Sequence, residues 1–292
     1  GGEQVRFVLC LNGHSIRLKA GVNDYVINVG AGGTLALCDC NGSKAGNGTI
    51  TGSTKASGVY IDKAGAFVMY GGSISGNGTG VTNKDLFQMY GGSITGNDCG
   101  VDNLTGTFTM YDGSIAGNQN TKNNSYGKGG GVCVESGAFD MHGGSITGNN
   151  AYKSDYISTF GGGVCVGSGI FTVSGEVTVT DNTKGGTKGA DGKFTGDTKN
   201  NVYLPTGKTI TIGTDKLSEG AQLGVTVSGD YGDYPFTSGW NDNMSDKTPS
   251  DYFISDTDGY VAKLNGSELK MVTHVHNWTY AASGDTITAT CK

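Results

Sequence analysis

A short theme recurs along this chain and restricts its fold more than any other feature does. It reads FVMYGGSISGN from Phe67, FQMYGGSITGN from Phe87, FTMYDGSIAGN from Phe108 and FDMHGGSITGN from Phe139, with a decayed copy, FTVSGEVTVTDN, from Phe171. The leading Phe residues lie 20, 21, 31 and 32 residues apart. The two long periods contain polar insertions, QNTKNNSYGKG from Gln119 and NAYKSDYISTF from Asn150, which read as loops on one side of a repeat array. A second block precedes the theme: GVYI from Gly58, GVCV from Gly131 and Gly163, and NVYL from Asn201. FVLCLNGHSI from Phe7 and LALCDCNG from Leu35 are degenerate early copies.

Each repeat therefore holds three short strands. Alternation sends successive side chains to opposite faces. Phe67 and Met69 share one face, and that face repeats as Phe and Met, so it points inward. The third strand adds Ile74, Ile94, Ile115, Ile146 and Val177 to the interior. No apolar period of 3.6 residues persists and Gly interrupts every copy, which excludes helices. Three strands in about 20 residues are too few for a propeller blade of ~40. Triangular coils stacked at ~4.8 Å remain. The expected fold is an all-β, right-handed parallel β-helix with a C-terminal β cap. The Asn that ends each copy (Asn77, Asn97, Asn118, Asn149 and, in the decayed copy, Asn182) is expected to form a ladder at the turn.

Residues 1–200 read as rungs, 201–272 as terminal rungs and a β cap, and 273–292 as the start of a further, truncated β module. The chain starts inside a structural pattern and stops abruptly, which reads as a piece of a longer protein. Of its 292 residues 54 are Gly and 3 are Pro, without a strict triplet period, so collagen is excluded. A net charge of -6 with no basic stripe argues against nucleic acid as a partner. No apolar run approaches ~18 residues, so no membrane insertion is expected.

The motifs LCLNGHSI, LALCDC, GGGVCV and MYGGSITGN resemble the β-helix repeats of large, adhesin-like surface proteins from Gram-positive gut bacteria, and NVYLPTGKTITI and FISDTDGYVAKL resemble the segment that closes such helices. The resemblance spans roughly residues 5–272. The GG and terminal-Asn themes are also similar to repeats of chlamydial polymorphic outer-membrane adhesins. The resemblance implies a secreted, cell-surface location on a bacterium and an adhesive role, with a glycan or a host or cell-surface protein as partner.

On the outer face, the alignment places Cys10, Cys38, Tyr70, Tyr90, Tyr111, His142 and Ser174 in one column. Tyr70, Tyr90, Tyr111 and His142 are the candidate ligand-binding residues, because Tyr offers a flat apolar face and a polar tip suited to carbohydrate. Ordinary sheet packing of Tyr is the alternative. The rival function is a carbohydrate-active enzyme, a glycoside hydrolase or polysaccharide lyase using Asp112, Glu135, Asp140 and His142, since paired carboxylates serve such hydrolysis. A passive spacer is a third reading. Cys10 with Cys38, and Cys133 with Cys165, fall one rung apart, within disulfide range, as bonded pairs or as stacked thiols. His274, His276 and Cys291 offer three of the four ligands a zinc site needs, but a metal-free strand is the preferred reading. No catalytic residue, metal or cofactor is assigned.

Overall fold

A computed structural model of the chain describes residues 5–19, 21–40, 48–119, 129–151, 160–188, 194–229, 232–276 and 278–291. The repeats coil into a parallel β-helix with three walls. One wall carries the Phe strands, among them Ala66–Met69, Leu86–Met89 and Thr107–Met110. A second carries the Ile strands Ser73–Ser75, Ser93–Thr95 and Ser114–Ala116. The third carries the Val strands Ser57–Ile61, Thr79–Asn83, Cys99–Asn103, Val132–Val134 and Val164–Val166. The Phe and Ile strands fuse in Ala138–Thr147 and again in Ile170–Thr180.

Every strand pairs in parallel with its copy one rung on, and the register aligns like with like. Phe67, Phe87, Phe108, Phe139 and Phe171 are successive partners. So are Ile74, Ile94, Ile115 and Ile146, and Val59, Val81, Val101, Val132, Val164 and Val202. All are fully buried, as are Met69, Met89, Met110 and Met141. The five Phe rings stack at centroid spacings of 5.3, 4.6, 4.6 and 5.0 Å. Phe7, one rung before Leu35, is 63% exposed, because no described rung lies beneath it.

Val177 is buried as expected, opposite Gly144, and Val179 is the residue opposite Ile146. The decayed copy carries one more residue between its Phe and this position, and the ladder absorbs it as an irregularity between Met141 and Gly143. Both Val residues are buried. At the corner between the Phe and Ile walls the second Gly of each pair has positive φ: 85° at Gly72, 88° at Gly92 and 83° at Gly144. A Cβ at Gly92 would stand 2.7 Å from the Met69 methyl and 2.8 Å from the Gly72 carbonyl, so only Gly fits this turn.

The Asn corner is a one-way hydrogen-bond chain. The Nδ2 of Asn77 donates to Oδ1 of Asn97, and the same bond runs from Asn97 to Asn118, Asn118 to Asn149, Asn149 to Asn182 and Asn182 to Asn201, at 2.9–3.1 Å. Each of these Oδ1 atoms also accepts the backbone N–H of the preceding Asn. The chain ends on a carboxylate: Asn201 donates to Oδ1 of Asp256 from its Nδ2 at 2.6 Å and to Oδ2 from its backbone N–H at 2.7 Å. Burial pushes the Asp256 carboxyl above its ordinary value, although the Asn201 N–H groups and the Thr226 hydroxyl all donate to it. A shorter ladder, Asn83 to Asn103 at 2.8 Å, runs along the next corner.

The stack closes where Gln222–Val227 pairs with both the Ile and Val walls, through Thr178 and Val202, which narrows the triangle. Below it Phe236, Trp240, Met244, Tyr252 and Phe253 are buried around the short helix Trp240–Met244. The Glu268 carboxylate accepts from the Thr237 hydroxyl and from the N–H groups of Gly239 and Trp240, tying that helix to the hairpin of Tyr260–Asn265 and Glu268–Thr273. A second hairpin, Trp278–Ser283 with Thr286–Cys291, follows.

Candidate binding surface

Tyr70, Tyr90, Tyr111 and His142 each follow the Met of a Phe strand, so the alternation that buries Met turns the next side chain outward. The backbone N–H groups of Tyr70, Tyr90 and Tyr111 bond to the preceding rung at Leu37, Met69 and Met89, which fixes one ring per rung. The structure brings all four together in a row. The ring centroids are 5.2, 4.5 and 5.3 Å apart, with interplanar angles of 16°, 11° and 14°. The three Tyr are 57%, 40% and 40% exposed, in order.

This geometry changes which part of each ring is available. Rung spacing matches aromatic stacking distance, so the Tyr faces are taken up by one another. Each face expected to receive a sugar instead receives the next Tyr, and what reaches solvent is a row of ring edges and hydroxyls. Tyr70 differs. Its neighbour on the preceding rung is Cys38, which has no ring, so among the described residues one face of Tyr70 has no aromatic partner. The far end is closed by a 2.7 Å hydrogen bond between His142 Nδ1 and the Ser174 hydroxyl. Desolvation and the neighbouring Tyr111 hydroxyl raise Tyr90 above the ordinary tyrosine pKa. Most of the two polar insertions, residues 120–128 and 152–159, lies outside the described residues.

The four groups of the enzymatic reading are spread over separate positions. Asp112 accepts its neighbour Gly113 N–H at 2.6 Å, at the corner after the Phe wall. Asp140 sits mid-strand in a column with Thr109 and Thr172. Glu135 follows the Val strand and lies with Asp102 and Cys133.

Two cysteine pairs have the expected register, Cys10 opposite Cys38 and Cys133 opposite Cys165. The bonding differs from a rung-to-rung bridge. Cys10 is disulfide-bonded to Cys40, with Cα atoms 6.1 Å apart. Cys38 remains a thiol with its Sγ 3.6 Å from that of Cys40. In-register parallel neighbours send their Cβ atoms the same way, whereas Cys40 lies past the strand end and turns back toward Cys10. Cys133 and Cys165 are free thiols. The Cys133 thiol hydrogen-bonds to Cys165; that bond and burial push Cys133 up, and the same bond lowers Cys165 against the opposing effect of burial. Among the remaining candidates, His274 and His276 lie 4.5 Å apart ring to ring, and the Cys291 side chain is outside the described residues.

With fold and surface in view, the chain can be set beside known proteins. No family model, curated protein or solved structure matches it. The reading of function therefore rests on geometry. Among the described residues no helix is long and apolar enough to cross a membrane.

Sequence reasoning missed one grouping. The outward column of the Val wall runs Tyr60, Thr82, Asp102, Cys133, Cys165 and Tyr203. Its middle is buried, with Asp102 at 2% and Cys133 at 6% exposure. The signal was present in the alignment, since Asp102 holds the place that Cys fills in the next two copies.

Proposed function

We propose that this chain is a non-catalytic, extracellular or cell-surface β-helix module that adheres to a glycan or a host or cell-surface protein through the row Tyr70, Tyr90, Tyr111 and His142. The observation that carries this reading is the rigid row of exposed ring edges, held at rung spacing. Hydroxyls repeated every ~4.8 Å along a stiff axis match a partner that is itself linear and rich in hydrogen-bonding groups. The Tyr70 face without an aromatic partner supplies one stacking platform at the end of the row. A single edge contact is weak, so affinity comes from several rungs acting together.

The test is the double variant Tyr90→Ala/Tyr111→Ala on glycan arrays and on intact host or bacterial surfaces. Adhesion should fall with the fold retained by circular dichroism. Binding that survives the double variant would exclude the row as the adhesive surface. Absence of any binding by the unaltered chain favours a passive spacer, and polysaccharide turnover that vanishes in Asp140→Asn favours the enzyme.

A further inference from the structure

On the Val wall, three successive rungs bring metal-ligating groups to one part-buried place. The donor atoms of Asp102, Cys133 and Glu135 all lie within 4.8 Å of one another. Cys165 is the register partner of Cys133 on the next rung. We propose that Cys133, Cys165, Asp102 and Glu135 bind one thiophilic divalent cation, zinc by the chemistry of the set.

Geometry and donor type both support this. A tetrahedral zinc with bonds of about 2.3 Å to sulfur and 2.0–2.2 Å to oxygen holds its donors roughly 3.3–3.8 Å apart. Cys165 lies outside the group of three but is hydrogen-bonded to Cys133, and the proposal requires side-chain rotations that bring the four donors to this spacing. Calcium and magnesium prefer all-oxygen shells, and the two thiols disfavour them. The register is rigid because backbone ladders fix Asp102 opposite Cys133 and Cys133 opposite Cys165. Binding ionises both thiols and releases their protons to solvent.

The enclosure is made of glycine backbone. A Cβ on Gly161 would stand 2.5 Å from the Cys165 Cα, and one on Gly129 would meet the Cys165 Cβ at 3.3 Å. Each GVCV block is preceded by further glycines, and they let the incoming chain lie close against Cys165. Asp102 and Cys133 are buried while Glu135 and Cys165 are half-buried, and partial removal from water strengthens ligand–metal attraction. Cys99 is buried nearby, but its Sγ bonds to the Val101 carbonyl at 3.7 Å and it stands outside the proposed set.

The experiment is cobalt(II) titration of the full chain under reducing conditions, followed by zinc displacement. Because Cys10, Cys38 and Cys40 also converge, and Cys291 follows two His, the titration is done with these four cysteines changed to Ser. The proposal expects one cobalt per chain and a thiolate-to-cobalt charge-transfer band, both unchanged by Cys99→Ser. Cys133→Ser should weaken the band and Cys133→Ser with Cys165→Ser should abolish it, and Asp102→Asn and Glu135→Gln should each weaken zinc binding at least about tenfold. If Cys133→Ser fails to fold, alkylation of the unaltered chain decides: zinc should protect Cys133 and Cys165 and leave the Cys99 rate unchanged. No cobalt bound in the four-serine chain, or zinc protection absent at Cys133 and Cys165, overturns the site.

Discussion

The same rungs carry two aromatic stacks on opposite sides of one wall, and their spacings are nearly identical. Inside, Phe67 to Phe171 stack at 4.6–5.3 Å. Outside, Tyr70 to His142 stack at 4.5–5.3 Å. Stacking distance is thus set by the backbone ladder and is indifferent to the side it occurs on. What differs is the surroundings. The Phe rings are fully buried and the Tyr rings are about half in solvent. Equal geometry therefore predicts unequal energetics, with cohesion on the inside and chemistry on the outside.

The sharpest way to break this comparison is to remove one ring from each stack. Phe108→Ala should destabilise the chain by about 3–5 kcal/mol, because it deletes buried area and leaves a cavity between two neighbours that the ladder holds apart. Equilibrium denaturation measures this directly. Asn118→Ala comes next, at about 1–3 kcal/mol, since it leaves the buried backbone N–H of Asn97 without its acceptor and removes one of the acceptors of the Asn97 Nδ2. Tyr90→Ala should cost under about 1.5 kcal/mol, the value of an exposed aromatic pair. If Tyr90→Ala matched Phe108→Ala, the division between cohesive and chemical stacks would fail.

Two smaller effects sharpen the picture. Tyr90→Phe keeps the ring and removes the hydroxyl. It should leave stability within about 0.5 kcal/mol and still weaken adhesion, because the edge is the part that solvent and partner reach. Adhesion unchanged in Tyr90→Phe would return the emphasis to ring faces, and hence to Tyr70. The smallest effect is a pH dependence at the end of the Asn ladder. Asp256 binds its proton more tightly in the folded than in the unfolded chain. Its contribution is therefore full below the unfolded carboxylate pKa and is lost as pH rises through the raised folded value. Denaturation midpoints measured upward from about pH 4 should show this fall, and Asp256→Asn should remove it.

Much of the fold is legible in the sequence because each rung repeats its instructions. Inward Phe, Met, Ile and Val positions, the Asn corner and the Tyr column all follow from alternation and alignment. The failures occur where repetition stops. Val177 is inward as expected, but the place opposite Ile146 passes to Val179 because the decayed copy is one residue longer. The continuation of the ladder into Asn201 and Asp256 is hidden, since Asp256 lies 55 residues after Asn201, in the cap. The Asn83–Asn103 ladder occurs in only two copies and looks accidental in a Gly- and Asn-rich chain. Cys40 lies beyond its strand, where alignment says nothing about the path of the chain. For the candidate surface, alignment gave the column and not the ring orientation. That step required setting rung spacing against the thickness of an aromatic ring.

The Asn ladder has a polarity whose consequence reaches beyond stability. Each amide presents a donor to one neighbour and an acceptor to the other, so every rung between Asn77 and Asn182 offers the same pair of interfaces. Such units are interchangeable links in a head-to-tail polymer. A rung can be duplicated or deleted in the gene without redesigning either neighbour, provided that the carboxylate terminus at Asp256 is kept. Length thereby becomes a freely adjustable trait, and a lineage carrying this fold can change the length of its solenoid by recombination alone while the cap stays constant.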